Sequence, residues 1–393
     1  MRVLFATTAN AGHFRPLVPF AEACRRAGHD VLVAGQSGAA PAARRAGLSF
    51  RALAEPDDEE VGRFREGQAR LSATDAMGRA LTELYIRLYA GAALDDMLAA
   101  IEEWCPDVLV RESAEFSSLV AGERLGVRHA RVGIGLSTAL ESEMLSLAGP
   151  ALDELGATVG AAPGLGERAA GSLCLTMAPA SLDGPGSAES ERVRRFRDTS
   201  VGLAGSPPDG WGDPAAPLVY LSFGTEVPSP TRDYFPGLYR AALEALQRTG
   251  ARVLVTIGDQ RDPGELGLLP PSVRVERWVA QTELMPHTAA MVGHAGAGST
   301  LGALAAGVPM ALVPLFADQP FNARRVADLG AAIALDDGLA YLPRLEQAVL
   351  ELLSVARYRD RARAIADEIQ NLPPIDEAPR ALSALAESSA RVG

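Results

Sequence analysis

The stretch that decides the fold lies at residues 278–322 and reads WVAQTELMPHTAAMVGHAGAGSTLGALAAGVPMALVPLFADQPFN. Within it, a short apolar run at 289–292 leads into the glycine-rich turn HAGAGST, and helix formers follow at 301–306. This order predicts a strand, a turn and the start of a helix, as in a parallel α/β sheet. Glycines let the backbone approach a ligand closely, and a first helical turn offers unpaired N–H groups at the positive end of the helix dipole. The heptapeptide is therefore typical of a phosphate site, and equally of a plain turn between strand and helix.

Residues around the turn decide between these two interpretations. Trp278 follows a strand-like run and can stack on a base, while Asp318 and Gln319 follow the next strand-like run and can hydrogen-bond sugar hydroxyls. His294 and Ser299 add side-chain donors for phosphate oxygens. An aromatic residue, a phosphate turn and a polar pair, in this order, predict a nucleotide-sugar site.

The series W-x-x-Q, H-x-G-x-x-S-T, G-V-P and P-x-x-x-D-Q resembles the nucleotide-sugar signature of the family 1 glycosyltransferases of GT-B architecture. It is most similar to the bacterial natural-product (antibiotic) branch. The resemblance implies an α/β fold in which two Rossmann-like domains face each other across a cleft with their parallel sheets. The positions that match the family's donor site are Ser222, Gly224, Thr225, Trp278, Val279, His294, Gly296, Gly298, Ser299 and Thr300 for the nucleotide and diphosphate, and Asp318 and Gln319 for the sugar.

The bulk properties set limits on the class of protein. The chain has 393 residues, enough for two domains. A net charge of -12 argues against nucleic acid as a partner, because phosphate backbones bind clustered Lys and Arg. Three widely separated cysteines favour a reducing, cytoplasmic location over a disulfide framework. The longest apolar region contains two prolines and is shorter than a bilayer needs, so no membrane span is predicted.

Strand-like and helix-like segments alternate along both halves of the chain. An uncharged strand at 3–8 is followed by a loop at 9–15 and by a helix at 17–27 that stops at Gly28, which is typical of a doubly wound sheet. The Gly/Ala/Pro-rich segment before 218 reads as a linker. We expect an N-terminal acceptor-binding domain at 1–205, a linker at 206–217 and a C-terminal nucleotide-sugar domain at 218–376, and the resemblance implies that a helix at about 377–390 packs back on the first domain.

His13 is the candidate general base. It lies in the loop after the first strand, at the carboxyl edge of the sheet, where open α/β proteins hold ligands. An imidazole suits the deprotonation of a hydroxyl near neutral pH. A loop histidine that caps the next helix is the alternative. The motif A-G-H-x-x-P-L is similar to the family's G-H-x-x-P motif, which implies the base role.

A base histidine usually has an orienting carboxylate. The family places an aspartate at the end of the strand that here ends in Glu112, whose side chain is one methylene longer. Three possibilities stay open: Glu112 reaches His13, Glu115 serves instead, or the acceptor is acidic enough to need little help. A structural ion pair of Glu112 with Arg111 or Arg131 is the further alternative.

Gly302 departs from the plant members of the family, in which a glutamate at this position accepts hydrogen bonds from the ribose of UDP. A glycine cannot do so, which favours a dTDP-sugar over a UDP-sugar as donor. The alternative is that Gly302 only allows close helix packing.

The acceptor side is predicted from position and composition. The segment at 55–91 is polar at first and then helical, and reads either as a surface helix pair or as a variable acceptor loop beyond the strand ends. The candidate acceptor-binding residues are Phe64, Tyr85, Tyr89, Phe116, Leu140 and Met144.

The predicted function is inverting transfer of a sugar, deoxysugars included, from dTDP to a hydroxyl of a natural-product aglycone such as a polyketide. No Asp-x-Asp follows a strand, so we expect neither a metal ion nor another cofactor. An epimerase-like GT-B enzyme and a non-catalytic sugar-nucleotide-binding auxiliary are the alternatives. The sequence leaves open a monomer or a homodimer, and an O-, N-, S- or C-linked product.

Overall fold

The structure is a computed structural model that describes residues 1–8, 11–68, 71, 73–184, 190–199, 210–228, 234–336 and 338–387. It divides into two compact units. Met1–Asp198, together with the segment from Leu372 onwards, forms the first unit, and Thr199–Asn371 forms the second. Within the described residues, every helix is too short or too polar to cross a bilayer.

The first unit is built on a parallel sheet. Its strands are β1 (Arg2–Thr7), β2 (Asp30–Gly35), β3 (Ser49–Ala52), β4 (Val108–Glu112), β5 (His129–Val132), β6 (Leu173–Thr176) and β7 (Val193–Arg195). They lie in the order β3-β2-β1-β4-β5-β6-β7, and neighbouring strands run parallel. The order in which strands are added reverses between β1 and β4, since β2 and β3 lie on one side of β1 and β4 to β7 on the other. Open α/β sheets bind ligands at such a switch point.

Helices cover the sheet of the first unit. They are α1 (Ala11–Phe14), α2 (Val18–Arg26), α3 (Ala40–Arg45), α4 (Asp58–Gln68), α5 (Ala73–Arg79), a π-helix (Ala80–Ala90), α6 (Gly91–Trp104), α7 (Ser117–Leu125), α8 (Thr138–Leu147), α9 (Gly149–Ala157) and α10 (Leu165–Ala170). Side chains alternate between the two faces of each strand, so Val3 and Phe5 enter one apolar layer while Leu4 and Ala6 enter the other. A sheet covered on both faces explains why its central strands are apolar runs.

The second unit repeats this architecture. Its strands are β8 (Leu218–Ser222), β9 (Arg252–Thr256), β10 (Val273–Glu276), β11 (Ala290–Gly293), β12 (Met310–Leu312) and β13 (Ala332–Ala334), in the order β10-β9-β8-β11-β12-β13. Its helices are α11 (Gly237–Gln247), α12 (Gln281–Leu284), α13 (Ala297–Ala305), α14 (Gln319–Asp328), α15 (Leu345–Ser354) and α16 (Ala356–Gln370). The switch point lies between β8 and β11. The α/β prediction is confirmed for both units.

The last described helix, α17 (Ala378–Glu387), belongs to the first unit. Ile375, Ala378 and Leu382 are buried in the same apolar layer as Phe5. Asp376 accepts hydrogen bonds from Arg26 on α2, the shorter at 2.6 Å. The end of the chain therefore completes the core of the first unit. The linker expected at 206–217 falls partly outside the described residues and stays a prediction.

Some expected elements differ from the structure. Residues 137–155, whose sequence reads as one amphipathic helix, instead form α8 and the greater part of α9, because Pro150 lacks a backbone N–H and occupies the first turn of α9. The edge strands β3 and β7 were not predicted, because their sequences, SFRA and VRR, contain no continuous apolar run. Helix α13 begins at Ala297, ahead of the run of helix formers at 301–306, so the glycine-rich turn is partly helical.

Candidate active site

His13 and Glu112 meet at the switch point of the first sheet. His13 lies on α1, directly after β1, and Glu112 is the last residue of β4. The two strands are hydrogen-bonded neighbours, so their carboxyl ends bring the two residues together although 99 positions separate them in sequence. The loop expected at 9–15 therefore contains a helical turn at its centre.

The longer side chain of Glu112 reaches the imidazole. Its Oε1 lies 3.0 Å from Nδ1 of His13 and also accepts the Thr8 hydroxyl at 3.0 Å. Its Oε2 accepts the Ala114 backbone N–H at 2.6 Å. A carboxylate can only accept, so Nδ1 carries the proton and Nε2 presents its lone pair. This is the tautomer that a general base needs.

The partners of Glu112 favour its ionised form, against the effect of burial. Burial raises the pKa of its carboxyl, but the charge of His13 and the hydrogen bonds from His13, Ala114 and Thr8 outweigh it, and the pKa is lowered. Burial raises the pKa of Glu115, whose carboxylate is held by Ser117 and Ser118. The described geometry thus puts Glu112 on Nδ1.

The arginines considered as partners of Glu112 are engaged elsewhere. Arg131 forms its ion pair with Glu141 at 2.8 Å. Arg111 is buried and directs Nη1 at the backbone carbonyl oxygens of Glu112, Ser113 and Glu115, each at 3.4 Å. Neither arginine therefore forms an ion pair with the Glu112 carboxylate in this structure.

Candidate acceptor residues fall into two groups. Tyr85, Tyr89 and Phe116 line one small cavity together with Thr8 and Glu115. Phe116 is also part of the apolar core.

The other candidates lie outside that cavity lining. Phe64 is buried, and the Arg79 guanidinium lies over its ring, 5.2 Å from the ring centroid. Phe64 therefore packs as a core side chain. Leu140 and Met144 are half-buried, one turn apart on α8. Their role in acceptor binding stays a prediction.

At the switch point of the second sheet, two glycines make room for His294. Gly224 follows β8 with φ +75, and a Cβ there would lie 2.6 Å from Cε1 of His294. A Cβ on Gly296 would lie 2.3 Å from Nε2 of the same ring. Contacts under 3 Å cannot be met without displacement, so a side chain at either position would shift the His294 ring. The imidazole is therefore wedged between the two predicted phosphate turns.

Burial lowers the pKa of His294 to about 4, although a hydrogen bond with the Ser222 backbone raises it. The side chain is only 9% exposed, and Nδ1 has no hydrogen-bond partner among the described residues. The ring is therefore neutral at pH 7. Its single N–H is directed at the Ser222 backbone, so the ring brings neither a spare donor nor a positive charge to a bound phosphate.

Ser222 belongs to a buried chain of hydroxyls. Its Oγ accepts from Thr256 Oγ1 at 3.0 Å, and Gly224 N–H lies 3.4 Å from it. Tyr220 hydroxyl contacts Thr256 at 3.0 Å and accepts from Gln281 Nε2 at 3.2 Å. Ser222, which was predicted to contact phosphate, thus also links the turn at Gly224 to the buried hydroxyls of the sheet. Tyr220 and Thr256 were missed, because a hydroxyl in an apolar strand gives no signal of its direction.

The start of α13 supplies backbone donors. Gly298, Ser299 and Thr300 lie in its first turn, whose N–H groups precede the helical hydrogen-bond ladder. The Thr300 N–H already donates to the Gly296 carbonyl at 3.0 Å, and its side chain is 1% exposed. The backbone N–H groups that precede the helical hydrogen bonds are therefore those of residues 297–299. The side chain of Thr300 is buried in the helix packing.

Asn322 ties the predicted sugar pair to the phosphate turn. Its Nδ2 donates to Asp318 Oδ2 at 2.8 Å and to the Ala295 carbonyl at 3.0 Å. Ala295 and Ala317 have φ values of +64 and +55, in the left-handed region that alanine rarely adopts. Such strain persists where surrounding contacts enforce it, and it often marks functional sites.

Gln319 is less free than expected. Its Oε1 accepts the backbone N–H groups of Leu315 at 2.9 Å and Phe316 at 3.1 Å. Its amide N–H groups remain as the donors that could face a sugar. The residue thus shapes its own loop as well as offering a contact.

The position predicted to bind the base is open to solvent. Trp278 follows β10 and is 62% exposed, a large apolar area for a single side chain, while Val279 is half-buried. Gly302 has space beside it, since a Cβ would meet only Gln281 Oε1 at 3.8 Å. Close packing therefore does not explain the glycine. Thr225 lies in the turn after Gly224 and is exposed.

The described residues contain no cluster of three or more His, Cys, Asp or Glu side chains arranged to hold a metal ion.

Comparison with known proteins gives relatives over the whole chain. Residues 240–385 match the family described as erythromycin biosynthesis protein CIII-like, C-terminal domain. The chain is 33% identical over 379 residues to L-demethylnoviosyl transferase of Streptomyces niveus, and the alignment covers 95% of each. Calicheamicin glycosyltransferase CalG4 superposes with a TM-score of 0.81 at 24% identity, over 100% of this chain and 99% of that one. Streptomyces sp. SF2575 glycosyltransferase SsfS6, complexed with thymidine diphosphate, has a TM-score of 0.74 at 25% identity over 98% and 99%.

Two doubly wound units, each with its candidate ligand residues at the switch point, define the GT-B fold that CalG4 also has. The chain belongs to the natural-product glycosyltransferases, and it is an enzyme that transfers glycosyl groups. The family and enzyme class predicted from the sequence are confirmed.

Proposed function

We propose that this enzyme transfers a sugar, deoxysugars included, from a dTDP-sugar to a hydroxyl of a natural-product aglycone such as a polyketide, with inversion at the anomeric carbon. His13 is the general base in this proposal. Its Nε2 takes the proton of the acceptor hydroxyl while the oxygen attacks the anomeric carbon and the bond to the diphosphate breaks.

The observation that carries the proposal is the Glu112–His13 contact of 3.0 Å. It keeps the proton on Nδ1 and the lone pair on Nε2, and the negative Glu112 stabilises the imidazolium that forms. The contact lies at the carboxyl ends of β1 and β4, where this type of sheet binds ligands.

The departing diphosphate needs donors that do not depend on the protonation of His294. We propose the backbone N–H groups at the start of α13 and the hydroxyl of Ser299 for this task. The neutral His294 adds no positive charge, and its one N–H is held by the Ser222 backbone. No metal ion is part of this proposal, so transfer should be equal with EDTA and with added Mg²⁺.

The preference for dTDP has two supports. Gly302 offers no acceptor for a ribose 2′-hydroxyl, and the space beside it is not taken up by packing. The similar glycosyltransferase SsfS6 has been solved with thymidine diphosphate. Calorimetry with dTDP and UDP tests this directly, and tighter binding of UDP would contradict it.

The base role is tested by His13→Ala with a panel of hydroxylated polyketides as acceptors. Loss of a general base lowers kcat by about 100- to 10,000-fold. His29→Ala is the matched control, because His29 lies beside the Met1 amino group, 3.4 Å away, at the amino end of β1. Transfer by His13→Ala within a few-fold of the parent would rule out the base role. The anomeric coupling constant of the product, read by NMR against that of the donor, tests inversion.

A further inference from the structure

Tyr85 contacts the nitrogen of His13 that faces away from Glu112. Its hydroxyl lies 3.3 Å from Nε2. Its ring stacks on the imidazole, with centroids 5.3 Å apart and planes inclined by 27°. Since Glu112 holds the proton on Nδ1, Nε2 is the acceptor and the Tyr85 hydroxyl donates to it. The imidazole is thus hydrogen-bonded on both sides.

The Tyr85 hydroxyl stands where an acceptor hydroxyl must bind. A general base has to lie within about 2.6–3.2 Å of the oxygen whose proton it takes. A neutral imidazole has one lone pair in the ring plane, so Nε2 cannot serve as the base for a second hydroxyl while Tyr85 donates to it. Productive binding of an acceptor therefore requires that Tyr85 give up this hydrogen bond.

The element that carries Tyr85 is unusual. It lies in the π-helix Ala80–Ala90. Helices of this kind are rare in proteins, and those that occur are often found at functional sites. Ile86 and Ala90 anchor this helix in the core, and the Tyr89 ring packs edge-on against Tyr85 with centroids 5.8 Å apart. The phenol is therefore held over the imidazole by packing as well as by the hydrogen bond.

We propose that Tyr85 is a positioning residue that occupies Nε2 of His13 until an acceptor hydroxyl replaces it, a role that rests on the proposed function of His13 as base. The Tyr85 proton stays on its own oxygen, and the replacement exchanges one hydroxyl donor for another. In the absence of acceptor, Tyr85 keeps water from the same nitrogen. It thereby limits hydrolysis of the bound sugar donor.

The test is Tyr85→Phe in the full chain, which keeps the stacked ring and removes only the hydroxyl. With dTDP-glucose as probe and no acceptor, release of dTDP should rise by about two- to ten-fold, the range expected from one neutral hydrogen bond. Tyr358→Phe is the matched control, since it removes a hydroxyl that donates to Glu351 at 2.6 Å in the other unit. Equal hydrolysis by Tyr85→Phe and the parent would overturn the proposal.

Nitrogen NMR gives a second readout that does not depend on turnover. The chain has 5 histidines, and the resonance missing from His13→Gln identifies His13. Its Nε2 resonance should move in Tyr85→Phe and stay in place in Tyr358→Phe, and an unmoved resonance in Tyr85→Phe also overturns the proposal. Failure of the base role appears differently, as undiminished transfer by His13→Gln.

Discussion

A single methylene separates Glu112 from the aspartate expected in this family, and the structure shows how the longer side chain is accommodated. The carboxylate is held by the Thr8 hydroxyl and the Ala114 N–H, which direct one oxygen to His13. The residue is fully buried, so its charge depends on these partners.

Replacing Glu112 with Gln keeps the size of the side chain and removes its charge. We expect kcat to fall by about 10- to 100-fold, as for other groups that orient a functional histidine. Steady-state kinetics with the parent's acceptor measure the loss. Glu112→Asp keeps the charge but shortens the reach, and should lose less. A Gln variant as fast as the parent would show that the acceptor needs no charged dyad.

Asn322→Ala tests the link between the phosphate turn and the sugar pair. Both hydrogen bonds of Nδ2 are lost, and Asp318 and Ala295 become free to move apart. We expect the KM for the donor to rise about tenfold, since each such bond contributes about 0.5–1.5 kcal/mol. Donor kinetics measure the change. Asn371→Ala, at an exposed position after α16, is the control, and an equal KM in both variants would exclude the positioning role.

At the scale of elements, glycine signals were the most reliable part of the sequence. Gly28, predicted to stop a helix, follows α2 with a φ value of +80, and Gly126 follows α7 in the same way with a φ value of +73. The start of α13 was placed too late, because Gly298 and Ser299 are poor helix formers by propensity. The tertiary structure overrides that propensity, because the tight turn after β11 leads directly into the helix.

Gly302 on α13 gives an element-scale prediction about the nucleotide. Gly302→Glu should raise the affinity for UDP relative to dTDP by about three- to ten-fold, through a hydrogen bond to the ribose hydroxyls. Calorimetry with both nucleotides measures the ratio. Gly302→Ala controls for added bulk and should stabilise the helix by about 0.5–1 kcal/mol, because its Cβ meets only Gln281 at 3.8 Å. An unchanged ratio in Gly302→Glu would remove this support for dTDP.

At the scale of the whole molecule, the end of the chain stabilises its beginning. Leu382 on α17 is fully buried in the layer that contains Phe5 on β1. Leu382→Ala should lower the free energy of unfolding by about 2–5 kcal/mol. Urea unfolding measures this, and Arg380→Ala, on the exposed side of α17, should change stability by less than about 0.5 kcal/mol. Equal stabilities would mean that α17 does not pack on this core in solution.

The buried neutral His294 should make stability depend on pH. The unfolded chain binds a proton near the ordinary pKa of 6.5, whereas the folded chain binds it only near pH 4. Stability from this residue is therefore present above pH 6.5 and is lost as the pH falls from 6.5 to 4, by up to about 3 kcal/mol. Thermal melts of the parent and of His294→Asn over this range measure the difference. Parallel curves would mean that His294 is not buried as described.

Much of the fold and part of the site could be predicted because their signals are local. Apolar runs, glycine stops and the order of strand, turn and helix are written within a few residues, and they placed His13, His294 and Asp318 after strands. The edge strands β3 and β7 carry no apolar run, and they became strands by pairing at the edges of the sheet.

Contacts between distant residues were decided by the tertiary structure. Glu112 was the candidate by position and Glu115 the alternative, and only the pairing of β1 with β4 puts Glu112 on His13 across 99 positions. The same holds for Tyr85, which lies 72 positions from His13 and reaches it through the packing of a π-helix. Local sequence defines which chemical groups stand at the strand ends. Which of them touch depends on strand order and side-chain packing, and neither is encoded within a few residues of the groups themselves.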